Sequence, residues 1–283
     1  MGGNRMNRTA DKRRFWGDIA AFAALTLGAL CMVGPFVWMI STSLKPIAEQ
    51  YDMRLIPQTM TLENYPRLVD IMPIHLQLLN SFIIAGISTF GQLLTCSMAG
   101  FIFAVVRFPF RNVLFVLLLI TLMVPAQVTV IPQFIVFRFL GLYGTQAPLY
   151  LPAFLGGAFG TFLMRQYFLT IPSELAEAAR IDGASLARIF FTIYLPLAKP
   201  ALAAFAIFAF MFSWNDLFQA LIYLPSNMEQ TTVTVGLALF QTQYAGQWPL
   251  MMAGSLLAVA PIILVFFFAQ KYFMGGIAMS GLK

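Results

Sequence analysis

The chain has 283 residues, of which 60% are apolar and 10% charged, with 17 Lys and Arg against 11 Asp and Glu. Soluble domains carry roughly 25% charged and about 45–50% apolar residues, so the composition argues against a water-soluble enzyme and for a polytopic membrane protein. Collagen-like, disulfide-rich and disordered classes are excluded on the same grounds.

The apolar residues fall in blocks long enough to cross a bilayer, which takes about 20 residues rising about 1.5 Å each. In chain order the blocks are 19–40, 81–106, 113–137, 148–164, 201–224 and 250–270. They lack the alternation of membrane strands, and hydrocarbon tolerates only backbone whose hydrogen bonds are closed. The fold class expected is therefore all-α, with six transmembrane helices. Residues 1–18 read as a basic amino-terminal segment and 19–283 as the transmembrane domain. The basic start could also open a signal peptide, but no small-x-small cleavage site follows, so the first block is read as an uncleaved span. Cys31 and Cys96 both lie inside spans and read as small buried side chains rather than as a disulfide.

Lys and Arg are enriched on cytoplasmic flanks. With the amino terminus inside, thirteen of the 17 fall on the inner side, and the four left outside are Lys45, Arg54, Arg67 and Arg138. Both termini are thus expected in the cytoplasm, and the positive balance reflects topology rather than nucleic-acid binding. The outer connections are 41–80, 138–147 and 226–249, and the inner ones 107–112 and 165–200.

The long inner connection carries local signals of its own. Ser173 can cap a helix predicted over 174–181, where Glu174 and Glu177 suit the positive end of the helix dipole. Asp182-Gly183 breaks that helix, since Gly tolerates the positive φ of a corner. Ser185 starts a second helix whose Leu186, Ile189, Phe190, Ile193 and Leu197 form one apolar stripe, and Pro196 limits its length. A helix, a glycine corner and an amphipathic helix result. The geometry alone fits an interfacial anchor equally well.

The residue identities add a resemblance. Glu177-Ala178-Ala179-Arg180-Ile181-Asp182-Gly183-Ala184, with Ile193-Tyr194-Leu195-Pro196 after it, resembles the Glu-Ala-Ala loop of binding-protein-dependent ABC importer permeases. The likeness extends to the segment 35–45, to Leu62-Glu63-Asn64-Tyr65, to Trp214-Asn215-Asp216 and to the terminal segment 275–283, and is with the maltose-importer-like sugar permeases, in particular the smaller, six-span partner of a heterodimer. The resemblance implies a non-catalytic, multi-pass subunit of the bacterial inner membrane, surrounded by lipid and working by alternating access. Its implied partners are a second permease, two ATP-binding subunits that carry ATP and Mg, and an extracytoplasmic solute-binding protein. No Gly-Lys-Ser or Gly-Lys-Thr phosphate loop occurs in the chain, in keeping with ATP bound elsewhere. It further implies that the Glu-Ala-Ala loop couples to the ATPase: Ala178, Ala179 and Ala184 allow close approach, Glu177, Arg180 and Asp182 supply charge, and Gly183 sets the corner.

Other polar residues are candidates for the solute path. Asp216 is the one ionisable residue well inside a block, where an unpartnered charge costs roughly 2.5–3.5 kcal/mol on insertion scales. With Trp214, Asn215 and Gln219 it could bind sugar hydroxyls; Asn215 and Gln219 would share a face if the helix continued through them. A structural cluster fixing span five is the other reading. Gln127 and Gln133 accompany Pro125 and Pro132, so span three is expected to be kinked. Gly156 and Gly160 have the spacing of close helix packing. By family analogy the amide-rich Gln241, Thr242, Gln243, Tyr244 and Gly246 reach toward the binding protein; an ordinary polar loop beside the interfacial Trp248 is the alternative. His75 stands without the cluster a metal would need. An ion-coupled secondary transporter is the competing function, disfavoured by a single intramembrane carboxylate and no evident inverted repeat.

Overall fold

In the computed structural model, which describes residues 3–224 and 228–280, the chain divides into two compact units, Met1–Leu68 with Tyr244–Leu256, and Val69–Gln243 with Leu257–Lys283. The described residues are mainly helical, with no strand among them. Gly281, Leu282 and Lys283, which close the terminal segment of the resemblance, lie outside the described residues, as does Ser226 at the start of the outer connection 226–249.

The first unit begins with α1 (Gly3–Ser43). Its most apolar stretch lies within Gly17–Ser43 and is not buried inside the chain, burial starting only at Ser41, Thr42 and Ser43. Cys31 is accordingly exposed, contrary to its expected burial, while Cys96 is buried as expected. Burial increases where α1 ends. Lys45 is completely buried, its Nζ donating to the Asp52 carbonyl and lying 4.6 Å from the centre of the Trp38 ring. The carbonyl and the ring face are the ammonium's direct partners, and the Asp52 carboxylate adds Coulombic attraction. A one-turn 3₁₀ segment (Ile47–Glu49) precedes α2 (Asn64–Ile71), and Asn64 Nδ2 donates back to the carbonyls of Ser43 and Lys45 at 2.7 and 2.8 Å. Between them the Arg54 amide donates to Asp52 Oδ1 at 3.0 Å, which holds that half-buried carboxyl below its ordinary pKa.

The second unit is built around α3 (Ile74–Val105), which packs on α7 (Ala158–Phe168) and α11 (Lys199–Trp214). Gly160 sets the approach, whereas Gly156, its partner in the spacing read from block four, lies ahead of α7 at φ +86° and not on the helix. A Cβ on Gly160 would lie 2.1 Å from Phe205 Cζ and 2.8 Å from Cys96 Sγ, so no larger residue fits without displacing buried neighbours. Between α3 and α7 run α4 (Arg111–Ile120) and α5 (Ala126–Phe139), then α6 (Ala147–Tyr150) with a 3₁₀ turn over Leu151–Leu155. The segments Arg111–Met123 and Ala126–Phe139 meet at 98°, so predicted span three is a broken pair. The break falls at Pro125, which has no N–H to continue the ladder.

After α7 come α8 (Glu174–Ile181), α9 (Leu186–Ile189), a π turn over Phe190–Tyr194, α10 (Leu195–Leu197) and α11. Leu186–Leu197 meets α11 at 81°. Past α11 lie α12 (Phe218–Tyr223), α13 (Val233–Gln243) and α14 (Trp248–Ser280). Helix α13 occupies much of an outer connection read as loop. Its start is tied to the polar first turns of α3: Gln77 Nε2 donates to Met228 O, Asn80 Nδ2 to Thr231 O, and the Val233 amide to Ser81 Oγ, at 2.9–3.0 Å. Among the described residues four helices are long and apolar enough to cross a membrane, or up to six if each bent pair counts as one span.

Candidate functional site

Helix α8 has the predicted bounds, with Glu174 and Glu177 in its first turn. Ser173 makes no side-chain cap, because its own backbone is already helical (φ −64°, ψ −24°) and its carbonyl takes the amides of Ala176 and Glu177. The far end closes as a Schellman motif: the Ala184 amide donates to Ala179 O at 2.9 Å and the Gly183 amide to Arg180 O at 3.0 Å, with Gly183 at φ +79°. These two bonds satisfy carbonyls that would otherwise need partners from elsewhere. The corner therefore holds its shape by itself, and Glu177, Ala178, Arg180, Asp182 and Gly183 stay exposed, with Ala179 and Ala184 half-buried.

Two features fix this corner to the bundle. Ala176 is buried on the inner side of α8, and the second helix contributes Ile189, Phe190 and Tyr194 to the same core as Phe101 and Phe168. Ring centres of Phe101 lie 5.0 Å from Tyr194, 5.2 Å from Phe190 and 6.2 Å from Phe168. Such aromatic pairs contribute about 0.5–1.5 kcal/mol each beyond their buried area. Ser185 caps as expected, its Oγ accepting from the Arg188 amide at 3.3 Å. The predicted stripe is corrected: Leu186 and Leu197 are 41% and 48% exposed, and Tyr194 is buried in their place. The π turn supplies the reason, since its i→i+5 bonding inserts a residue and rotates the buried face.

The cluster Trp214–Gln219 is corrected as well. Helix α11 stops at Trp214 and α12 starts at Phe218, so Asn215 and Gln219 do not share a continuous helical face. Trp214 is 2% exposed, stacked on Phe210 at 5.5 Å, and its Nε1 donates to Ala258 O at 3.2 Å, which leaves the ring covered rather than offered. Asn215 Nδ2 donates to Met211 O at 2.8 Å, and Asp216 Oδ1 accepts from the Gln219 amide at 3.1 Å. Asp216 thus starts α12, and Thr234 Oγ1 donates to its carbonyl at 3.2 Å. Gln127 is exposed in the first turn of α5.

Gln241, Thr242 and Gln243 form the last turn of α13 rather than a loop, with Thr242 Oγ1 donating to Leu239 O. Tyr244 to Gly246 lie in the turn before α14, where Gly246 has φ +95°. His75 is exposed, and no group of three metal-ligating side chains occurs among the described residues.

What the sequence missed is the wall facing α8. Arg107 and Arg111, at the α3–α4 corner, line a cleft of about 840 Å³ together with Glu174, Glu177 and Arg180. Their signal was two arginines on a very short inner connection.

Residues 97–278 match the family described as binding-protein-dependent transport system inner membrane component. Arabinooligosaccharides transport system permease protein AraQ of Halalkalibacterium halodurans is 37% identical over 268 residues, covering 92% of this chain and 95% of that protein. The sn-glycerol-3-phosphate transport system permease protein UgpE of Salmonella typhi is 35% identical over 271 residues, covering 93% of this chain and 96% of the other. Among solved structures, a chain of a bacterial ABC transporter involved in the import of the acidic polysaccharide alginate matches with a TM-score of 0.79 at 26% identity, covering 93% of this chain and 98% of that one. Together with the bent helical bundle, these likenesses show that the chain belongs to the binding-protein-dependent transport system inner membrane components, as one of their multi-pass permeases.

Proposed function

We propose that the chain is the six-span permease subunit of an ATP-driven importer of a sugar or sugar-like solute, and that residues 174–184 are the point at which separate ATPase chains act on it. The observation that carries this reading is the self-closed corner at Gly183, which leaves Glu177, Arg180 and Asp182 free while Ile189, Phe190 and Tyr194 root the same segment in the bundle core. A rigid lever needs both properties. A push on α8 then passes through the aromatic core to α3, α7 and α11, and a bundle with two packings can answer it by alternating access.

ATP and Mg belong on the ATPase chains, the chain itself being non-catalytic, and both termini lie in the cytoplasm. A second permease completes the path, and a binding protein delivers solute, with Gln241–Gly246 as the segment that meets it. The sugar class rests on the relatives, whose named solutes, an oligosaccharide, a glycerol phosphate and an acidic polysaccharide, are all polyhydroxylated. Co-reconstitution with the partner permease, the ATPase and the binding protein should give ATP-dependent sugar uptake that needs all four components. Concentrative uptake by this chain alone would instead establish an ion-coupled carrier.

A further inference from the structure

We infer that the cleft between the α3–α4 corner and α8 holds the phosphate of an anionic membrane phospholipid, with Arg107 and Arg111 as its ligands. Helix α3 ends at Val105 and α4 starts at Arg111. A connection this short between two membrane segments cannot leave the head-group layer, so its side chains sit at the depth of lipid phosphates. Arg107 is exposed, and Arg111 is half-buried with Nη1 donating to Val106 O at a long 3.4 Å, so among the described residues most of their guanidinium donors are left without a protein acceptor.

The cleft measures about 840 Å³, room for a head group with its glycerol. Glu174, Glu177 and Arg180 form the opposite wall, yet neither carboxylate closes to an ion pair with any of the three arginines among the described residues. The arginines outnumber the carboxylates, and the acidic pair lies on α8 rather than on the corner, which leaves the corner the anion-attracting side. Val105, Val106, Leu169 and Ile171 add an apolar flank that suits a lipid and gives a free phosphate nothing. Beside the cleft Phe110 is 75% exposed at φ +59°, an apolar ring directed outward at head-group depth. Arginine forks match phosphate oxygens in pairs, and basic pockets at the inner ends of membrane helices take anionic head groups.

Native mass spectrometry of the full-length protein, loaded with phosphatidylglycerol or phosphatidylcholine, tests this without any transport assay. Phosphatidylglycerol should be retained in preference to phosphatidylcholine. Each arginine contributes roughly fivefold at a membrane surface, so Arg107→Gln/Arg111→Gln should weaken retention of phosphatidylglycerol roughly 20- to 30-fold. Arg107→Lys/Arg111→Lys, which keeps the charge, should retain the preference and shows that loss in the first variant is not misfolding. Equal retention of phosphatidylglycerol by the native protein and the Gln variant overturns the assignment. So does displacement of phosphatidylglycerol by millimolar inorganic phosphate, which would make the site one for a soluble anion.

Discussion

Two polar clusters interrupt this apolar chain, and they use their side chains in opposite ways. In the corner 174–184 the backbone closes on its own carbonyls through the amides of Gly183 and Ala184, so Glu177, Arg180 and Asp182 are left for something else to meet. At 214–219 the side chains serve the backbone: Trp214 reaches Ala258 O, Asn215 reaches Met211 O, and Asp216 takes the Gln219 amide. Polarity in a membrane segment is thus a poor guide to function until the hydrogen bonds are assigned. A cluster that has satisfied its own backbone can be used by a partner, whereas one whose side chains are engaged there is part of the scaffold.

Gly183→Asp should separate these two roles most strongly. The residue sits at φ +79° and a Cβ there would meet nothing within 4 Å, so the substitution adds only left-handed strain of about 1–2 kcal/mol and no clash. Insertion and assembly should survive, read by membrane fractionation and pull-down with the partner chains, while ATP-coupled uptake falls to background. Native uptake in that variant would remove the lever role of the corner. The contrasting scaffold variant is Gly160→Ala, whose new methyl would lie 2.1 Å from Phe205 Cζ. Overpacking of this kind costs about 1–3 kcal/mol, so the melting temperature in detergent should drop; a variant as stable as the native protein would mean that α7 and α11 are less closely held than they stand here.

The same contrast explains what could be read in advance. Helix α8, its glycine corner and the Ser185 cap depend on neighbours within a few residues, and a sequence displays these directly. The rotated face of the second helix does not: one inserted residue in the π turn exchanges Leu186 and Leu197 for Tyr194, and nothing local announces it. The end of span five was misread for a related reason. The block 201–224 is apolar enough to read as one helix, but its break depends on Asp216 finding the Gln219 amide and Trp214 finding Ala258, a partner 44 residues away. Arg107 and Arg111 were visible as charges on a short connection, yet the cleft they line with Glu174 and Glu177 is made by residues far apart in sequence.

Smaller effects sharpen the scaffold side of the comparison. Trp214→Phe keeps the stacked ring against Phe210 but removes the 3.2 Å bond from Nε1 to Ala258 O. A net loss of about 1 kcal/mol in stability is expected, with the solute preference of uptake unchanged. A changed preference would return Trp214 to the solute path.

Asp216→Asn should have the smallest effect. Asparagine keeps a carbonyl oxygen where Oδ1 accepts the Gln219 amide at 3.1 Å, so the start of α12 is preserved. Removing the charge lifts the cost of holding an ionised group among apolar neighbours and weakens the bond from the Gln219 amide, two effects of opposite sign. Stability should therefore stay within about 0.5 kcal/mol, whereas Asp216→Ala, which has no acceptor, should lose about 1 kcal/mol. Uptake supplies the decisive reading, because a cap and a solute ligand differ in whether charge matters. If Asp216 only starts a helix, the Asn variant transports as the native protein does. A stable Asn variant with impaired uptake would mean that the carboxylate acts on the solute or on the moving helices, and the division between a free corner and an engaged cluster would no longer hold.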